Sequence, residues 1–270
     1  MNLVRLLSRV AEETTPLRFL ASRALRTTGV CRFLEIQRDG YRLKFSPTAL
    51  ATQLWHEPAS MQKDETFLKK FLRPGDVCID VGANIGTLTL VASQIVGPTG
   101  LVYSFEPFPP VYAYLLENLA LNHVTNVRAW NCALGERGGT IRLNTSHSDD
   151  QNHVMPECDG QINLVRLDEL PLPRKIALLK VDVEGQELAV LRGAAGILDR
   201  TDAIYFEAFE PLLTRAKTTF SELRDFLENC GFEVLSPEDQ QRLPPNFVPK
   251  DCVNLLAVRG TAMVRSRLSE

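Results

Sequence analysis

From residue 77 onward, short apolar runs with strand character alternate with longer stretches of helical spacing. Strands are predicted near 77–81, 101–105, 127–131, 176–182, 203–208, 231–236 and 253–258, and helices near 86–96, 110–121, 185–194 and 219–229. This alternation predicts an α/β fold, a mostly parallel sheet with helices on both faces. Ahead of it, Asp39-Gly40 separates two short alternating stretches, 33–36 and 41–45, and predicts a hairpin. Residues 50–72 read as mostly helical, and Arg73-Pro74-Gly75-Asp76 as the turn into the first core strand. The run at 176–182 is apolar until its carboxyl end, the edge where open α/β sheets place their sites.

Between the third and fourth of these strands lies an insertion. Residues 138–143 and 162–167 are predicted edge strands around a polar loop, 144–153, expected to be a lid or wall of an acceptor pocket. His147, Asp149, Asp150 and His153 in that loop have metal-ligating chemistry, but a solvated loop explains them better. At the amino terminus, charges at Arg5, Arg9, Glu12, Glu13, Arg18, Arg23, Arg26 and Arg32 interrupt the apolar pattern, so neither a membrane span nor a secretory signal is expected. Leu3, Val4, Leu6, Leu7 and Val10 predict one helical face, and Leu17, Phe19, Leu20 and Leu25 a second. These faces are expected to pack on the catalytic core or a second subunit, with peripheral membrane contact through the basic side as the alternative. The expected organisation is a helical lead and hairpin over 1–45, a catalytic domain over 46–260 and a tail over 261–270.

Composition narrows the partners. A chain of 270 residues can bury one sizeable core, and its formal net charge is −3 with both signs mixed, so no nucleic-acid partner is expected. The cysteines at 31, 78, 132, 158, 230 and 252 are scattered, with no C-x-x-C pair. They read as small apolar residues in a reducing, cytoplasmic setting, and neither Cys78 nor Cys132 is assigned to catalysis.

The chemistry concentrates in two segments. Val77-Cys78-Ile79-Asp80-Val81-Gly82-Ala83-Asn84-Ile85-Gly86 reads as a buried strand turning through glycines into a helix, with Gly82 and Gly86 removing β-carbons that would keep a ligand from the backbone. The pattern is D-x-G-x-N-x-G, not the G-x-G-x-x-G of a pyrophosphate grip. Glu106 follows the next strand, where a carboxylate can accept both hydroxyls of a ribose. In the second segment, Lys180-Val181-Asp182-Val183-Glu184-Gly185-Gln186-Glu187, strand alternation puts Lys180, Asp182 and Glu184 on one side if the extended geometry persists.

Residues 80–86 resemble the first cofactor motif of class I S-adenosylmethionine-dependent methyltransferases. The segment from Lys180 to Glu187 is similar to the K-x-D-x-E-G-x-E signature of FkbM-type members, and Phe105-Glu106-Pro107 and Asn131-Cys132-Ala133-Leu134-Gly135 match as well. The resemblance covers roughly residues 41–258 and leaves out the amino-terminal lead. It implies a Rossmann-like class I methyltransferase fold with a seven-stranded sheet, and S-adenosyl-L-methionine as cofactor. By the same resemblance, Asp80, Gly82, Ala83, Asn84 and Gly86 surround the methionine and ribose, Glu106 with Pro107 holds the ribose, and Asn131 with Ala133 lies near the adenine.

Methyl transfer from a sulfonium is an in-line displacement that depends on placing the acceptor, and an acceptor hydroxyl gains from a nearby carboxylate, a His or a metal. Asp182 and Glu184 are the expected acceptor-side carboxylates, and Glu207, ending the next strand, is a third candidate. Lys180 is open between pairing with a carboxylate and orienting or deprotonating the acceptor. The implied reaction is O-methylation of a small molecule or glycan, with a divalent metal left open. A nicotinamide oxidoreductase is disfavoured by the glycine pattern. A base methyltransferase is disfavoured because Asp182-Val183-Glu184-Gly185 stands where an N/D-P-P-Y/F motif would. A non-catalytic binding module predicts a lost cofactor carboxylate or a bulky residue in place of a glycine, and neither occurs.

Overall fold

The long apolar runs become strands because the sheet buries them on both faces. The computed structural model describes residues 15–142, 161–173, 175–260 and 266–268. Its main sheet contains β3 (Val77–Val81), β4 (Leu101–Phe105), β5 (Val127–Trp130), β9 (Ile176–Val181), β10 (Thr201–Ala208), β11 (Glu233–Leu235) and β12 (Val253–Val258). They stand in the order β11-β12-β10-β9-β3-β4-β5. All are parallel except β12, which runs antiparallel to both of its neighbours. This is the seven-stranded, mostly parallel arrangement the resemblance implies. Strand order reverses between β3 and β9, so their carboxyl ends open a crevice at a topological switch point.

Side-chain alternation sorts the two faces. Cys78, Val102, Leu178, Tyr205 and Leu256 pack against three helices, α3 (Gln62–Phe71), α4 (Thr87–Val96) and α5 (Pro109–Leu121). Ile79, Tyr103, Leu179 and Ile204 pack against α6 (Glu187–Arg192) and α8 (Phe220–Asn229). Helix α7 (Glu210–Arg215) and a short 3-10 helix, Ala195–Arg200, complete the connections on either side of β10. The amino-terminal elements are α1 (Pro16–Thr27), the hairpin β1 (Glu35–Gln37) with β2 (Arg42–Lys44), and α2 (Ala49–His56). Ile36, Tyr41, Leu43 and Phe45 of the hairpin region share the core with α3, α4 and α5.

Three local expectations are corrected. The insertion strands do not edge the main sheet: β7 (Gly139–Ile141) pairs antiparallel with β8 (Ile162–Val165), and β8 pairs with β6 (Ala133–Leu134) in a separate small sheet. Second, the extended geometry of β9 stops at Val181, because Glu184 and Gly185 take φ of 56° and 95° and turn the chain. Third, the second apolar face of the lead divides: Phe19 is buried, whereas Leu17 is 81% exposed. The first apolar face, at residues 3–10, the polar loop with His147, Asp149, Asp150 and His153, and Cys158 lie outside the described residues.

Candidate active site

Beyond β3 the chain turns through Gly82, Asn84 and Gly86, all at positive φ, into α4. The amides of Gly82 and Ala83 both donate to the Phe105 carbonyl at 3.0 Å, which hooks this loop over the end of β4. A β-carbon on Gly82 would stand 1.9 Å from the Asp182 carbonyl oxygen, and one on Gly86 would stand 2.5 Å from Leu115 Cδ1. The glycines therefore answer to close packing within the protein. Gly82 lets the loops after β3 and β9 touch, and Gly86 lets α5 close against the start of α4.

Glu106 stands at the end of β4 and is 7% exposed. Its Oε2 accepts from the Asn84 amide and its Oε1 from the Phe108 amide, each at 2.9 Å. Burial raises its pKa to about 7 against the opposing pull of those two amides and of Lys180. Each carboxylate oxygen can accept more than one hydrogen bond, so the fixed group retains capacity for two hydroxyl donors. Asn84 itself is exposed, with its Oδ1 accepting from the Ile85 amide at 2.8 Å. Asn131 donates from Nδ2 to the carbonyls of Glu106 and Pro107 at 2.8 and 2.9 Å, and so clamps the turn that carries Glu106. Ala133 is buried in β6.

A polar row crosses the sheet on the α4 side, since Ser104, Asp80, Lys180 and Tyr205 occupy matching register positions on β4, β3, β9 and β10. Asp80 is buried, accepts from the Thr89 hydroxyl at 2.6 Å and lies 3.2 Å from Lys180 Nζ. Its carboxylate is thus engaged by Thr89 and Lys180 within the protein. Lys180 also donates to the Gly82 carbonyl at 3.0 Å and pairs with Asp182 Oδ2 at 3.5 Å. Burial pulls its pKa down, but Asp80 and Asp182 outweigh that and hold it above the usual lysine range. The contacts the structure gives this ammonium are thus ion pairs with Asp80 and Asp182 and a hydrogen bond to the loop after β3.

Asp182 is half-buried, and its amide donates to the Val81 carbonyl at 3.1 Å. Glu184 is exposed on the turn that follows. That turn is held from inside, because the buried Glu187 carboxylate accepts from the amides of Val183 and Gly185, each at 3.1 Å. Glu207 on β10 faces the same opening. Burial raises it to about 7, with Asp182, Glu184 and Glu187 adding to the push, and its Oε1 accepts from the Cys252 thiol at 2.7 Å.

Sequence reasoning missed a neighbouring group. Asp64 of α3 accepts on Oδ1 from the Tyr205 hydroxyl at 2.6 Å and from Asn254 Nδ2 at 2.7 Å. Burial raises its pKa, and the charges of Lys180 and Asp182 both reach it. Tyr205 was recoverable in principle, being two residues before Glu207 on the same strand face. Asp64 lies in an amphipathic helix with no motif around it, so no local signal marks it. Among the described residues, no group of three or more His, Cys, Asp or Glu side chains is arranged to hold a metal ion.

Comparison with known proteins assigns this arrangement. Residues 80–234 match the family model described as the methyltransferase FkbM domain. Methyltransferase 1 of Beauveria bassiana is 30% identical over 201 residues, covering 64% of this chain and 76% of that protein. The 31-O-demethyl-FK506 methyltransferase FkbM of Streptomyces tacrolimicus is 33% identical over 232 residues, covering 71% and 83%. The hexuronic acid methyltransferase AglP of Haloferax volcanii is 27% identical over 195 residues, covering 68% and 77%. With the family model spanning more than half of the sequence and the motifs gathered at one switch point, the chain belongs to the FkbM methyltransferase family and is an S-adenosylmethionine-dependent methyltransferase.

Proposed function

We propose that this enzyme methylates a hydroxyl on a small molecule or glycan in the cytoplasm, with no nucleic acid as substrate. The observation that carries the reading is the division of the crevice. A buried, amide-fixed Glu106 stands on the β4 side, and Asp182 with Glu207 stands on the β9–β10 side. The names of two relatives, one acting on a demethylated oxygen of FK506 and one on a hexuronic acid, support an oxygen acceptor.

The residues present fit an adenosyl cofactor, since Glu106 is fixed and retains acceptor capacity beside the exposed Asn84. Glu106 would hold the ribose hydroxyls, and the loop 82–86 would border the methionine portion. When bound, S-adenosylmethionine supplies an electrophilic methyl group. The chain's own task is then to place a hydroxyl and receive its proton. Glu207, with a pKa near 7, is matched to that transfer near neutral pH, whereas Lys180 keeps its proton and orients Asp182. Glu184, on the exposed turn, borders the acceptor entrance in this reading.

Calorimetric titration of the purified protein with S-adenosylmethionine, S-adenosylhomocysteine and NAD tests the cofactor half. Saturable binding of the two adenosyl sulfur compounds and none of NAD is expected, and the reverse pattern overturns it. For the acceptor half, methyl transfer to a panel of hydroxylated acceptors should fall at least about tenfold in Glu207→Gln, with cofactor affinity unchanged. Full turnover in that variant removes Glu207 as the proton acceptor.

A further inference from the structure

We propose that α1 and the turn after it form a docking surface for an anionic lipid bilayer. Of the six large hydrophobic residues exposed among the described residues, four lie between positions 17 and 33: Leu17 at 81%, Leu20 at 40%, Val30 at 45% and Phe33 at 88%. Leu17 and Leu20 are three apart on α1 and share a face. The opposite side of the helix is committed to the protein, with Phe19 and Ser22 buried, Phe19 edge-on to His56 at 5.4 Å, and the Thr15 hydroxyl on the His56 carbonyl at 2.8 Å. After Gly29, residues Val30–Phe33 form one turn of 3-10 helix, in which positions three apart eclipse. Val30 and Phe33 therefore project together, while Cys31 between them is fully buried and anchors the turn.

Charge selects the partner. Residues 14–34 hold Arg18, Arg23, Arg26 and Arg32 and no acidic residue, on a chain whose formal net charge is −3. The Arg18 guanidinium lies 5.4 Å over the Trp55 ring and that of Arg23 lies 5.6 Å over Phe19, so two of the cations are seated on aromatic rings. Apolar side chains flanked by arginines suit the boundary between headgroups and acyl chains, where guanidinium groups pair with phosphate. A second copy of the chain fits less well, because a two-fold contact through this face would set the arginines of one copy against those of the other.

Co-sedimentation of the 270-residue chain with vesicles tests this. Binding to phosphatidylcholine vesicles containing phosphatidylglycerol should exceed binding to phosphatidylcholine alone by about tenfold, and should weaken as NaCl rises from about 0.1 to about 0.5 M. The double variant Leu17→Asp, Phe33→Asp should lose that binding while keeping the thermal melt and the S-adenosylhomocysteine affinity of the parent. Equal binding to both vesicle types, no binding to either, or binding that survives the double variant overturns the proposal. Sedimentation velocity showing a dimer that the same variant splits also overturns it, in favour of a second copy.

Discussion

Burial pushes two carboxylates at the crevice, the buried Glu106 and the half-buried Glu207, up to about 7, and each carries a measurable consequence. Burial raises Glu207 to about 7 in the folded protein, above its ordinary value of 4.5. Protonation therefore favours the folded state: the contribution is fully present below about 4.5 and is lost as pH rises through about 7. The melting temperature should accordingly fall across this window in the parent protein and fall less steeply in Glu207→Gln, as read by calorimetric scans at several pH values. An unchanged slope would place Glu207 in a more solvated setting than the structure gives it. Glu106→Ala removes a carboxylate already oriented by two backbone amides. Cofactor affinity should drop about ten- to hundredfold, the scale of lost hydrogen bonds to a charged group, in a variant that still melts cooperatively. Retained affinity in calorimetric titration would sink the ribose assignment.

At the scale of elements, the site depends on how closely two strand ends approach. The loop after β3 meets the loop after β9 through Gly82, whose position combines φ of 77° with a neighbouring backbone carbonyl. Neither the left-handed conformation nor the carbonyl can yield cheaply to a methyl group. Gly82→Ala should destabilise the protein by about 3 kcal/mol or more and abolish cofactor binding, since it separates β3 from β9 at the crevice floor. Thr219→Ala supplies the contrast. Thr219 and Glu222 form a capping box at the start of α8, on the other face of the sheet. Its loss should cost about 1 kcal/mol in chemical denaturation and leave cofactor affinity unchanged. A comparable loss of affinity in both variants would mean that global stability, not the local approach, limits binding.

Across the whole molecule, the amino-terminal hairpin is tied to the cofactor loop through one buried side chain. Asn118 of α5 is fully buried, accepts on Oδ1 from the Lys44 amide at 2.7 Å and donates from Nδ2 to the Ile85 carbonyl at 2.8 Å. Asn118→Ala should cost about 2–4 kcal/mol by leaving both partners unpaired, and should weaken cofactor binding although Asn118 lies outside every motif. Denaturation and titration of the same variant check both effects, and normal affinity would show that the hairpin does not support the loop.

What was legible in the sequence is what short-range physics writes there. Burial on both faces makes β3, β4 and β9 apolar runs, a strand-to-helix turn needs positive φ at Gly82 and Gly86, and function places polarity at strand ends such as Asp182 and Glu207. The core strands themselves, the family and the strand ends at which the site lies follow from those signals. The tertiary structure alone decided the partners. Asp64 meets Tyr205 and Asn254 across 141 and 190 residues of chain, Lys180 is locked between Asp80 and Asp182, and the insertion strands pair with each other and β6 in their own small sheet. Periodicity records which side of an element is buried but not which distant group will face it. That choice is made when the elements pack and each buried charge or amide must find a partner.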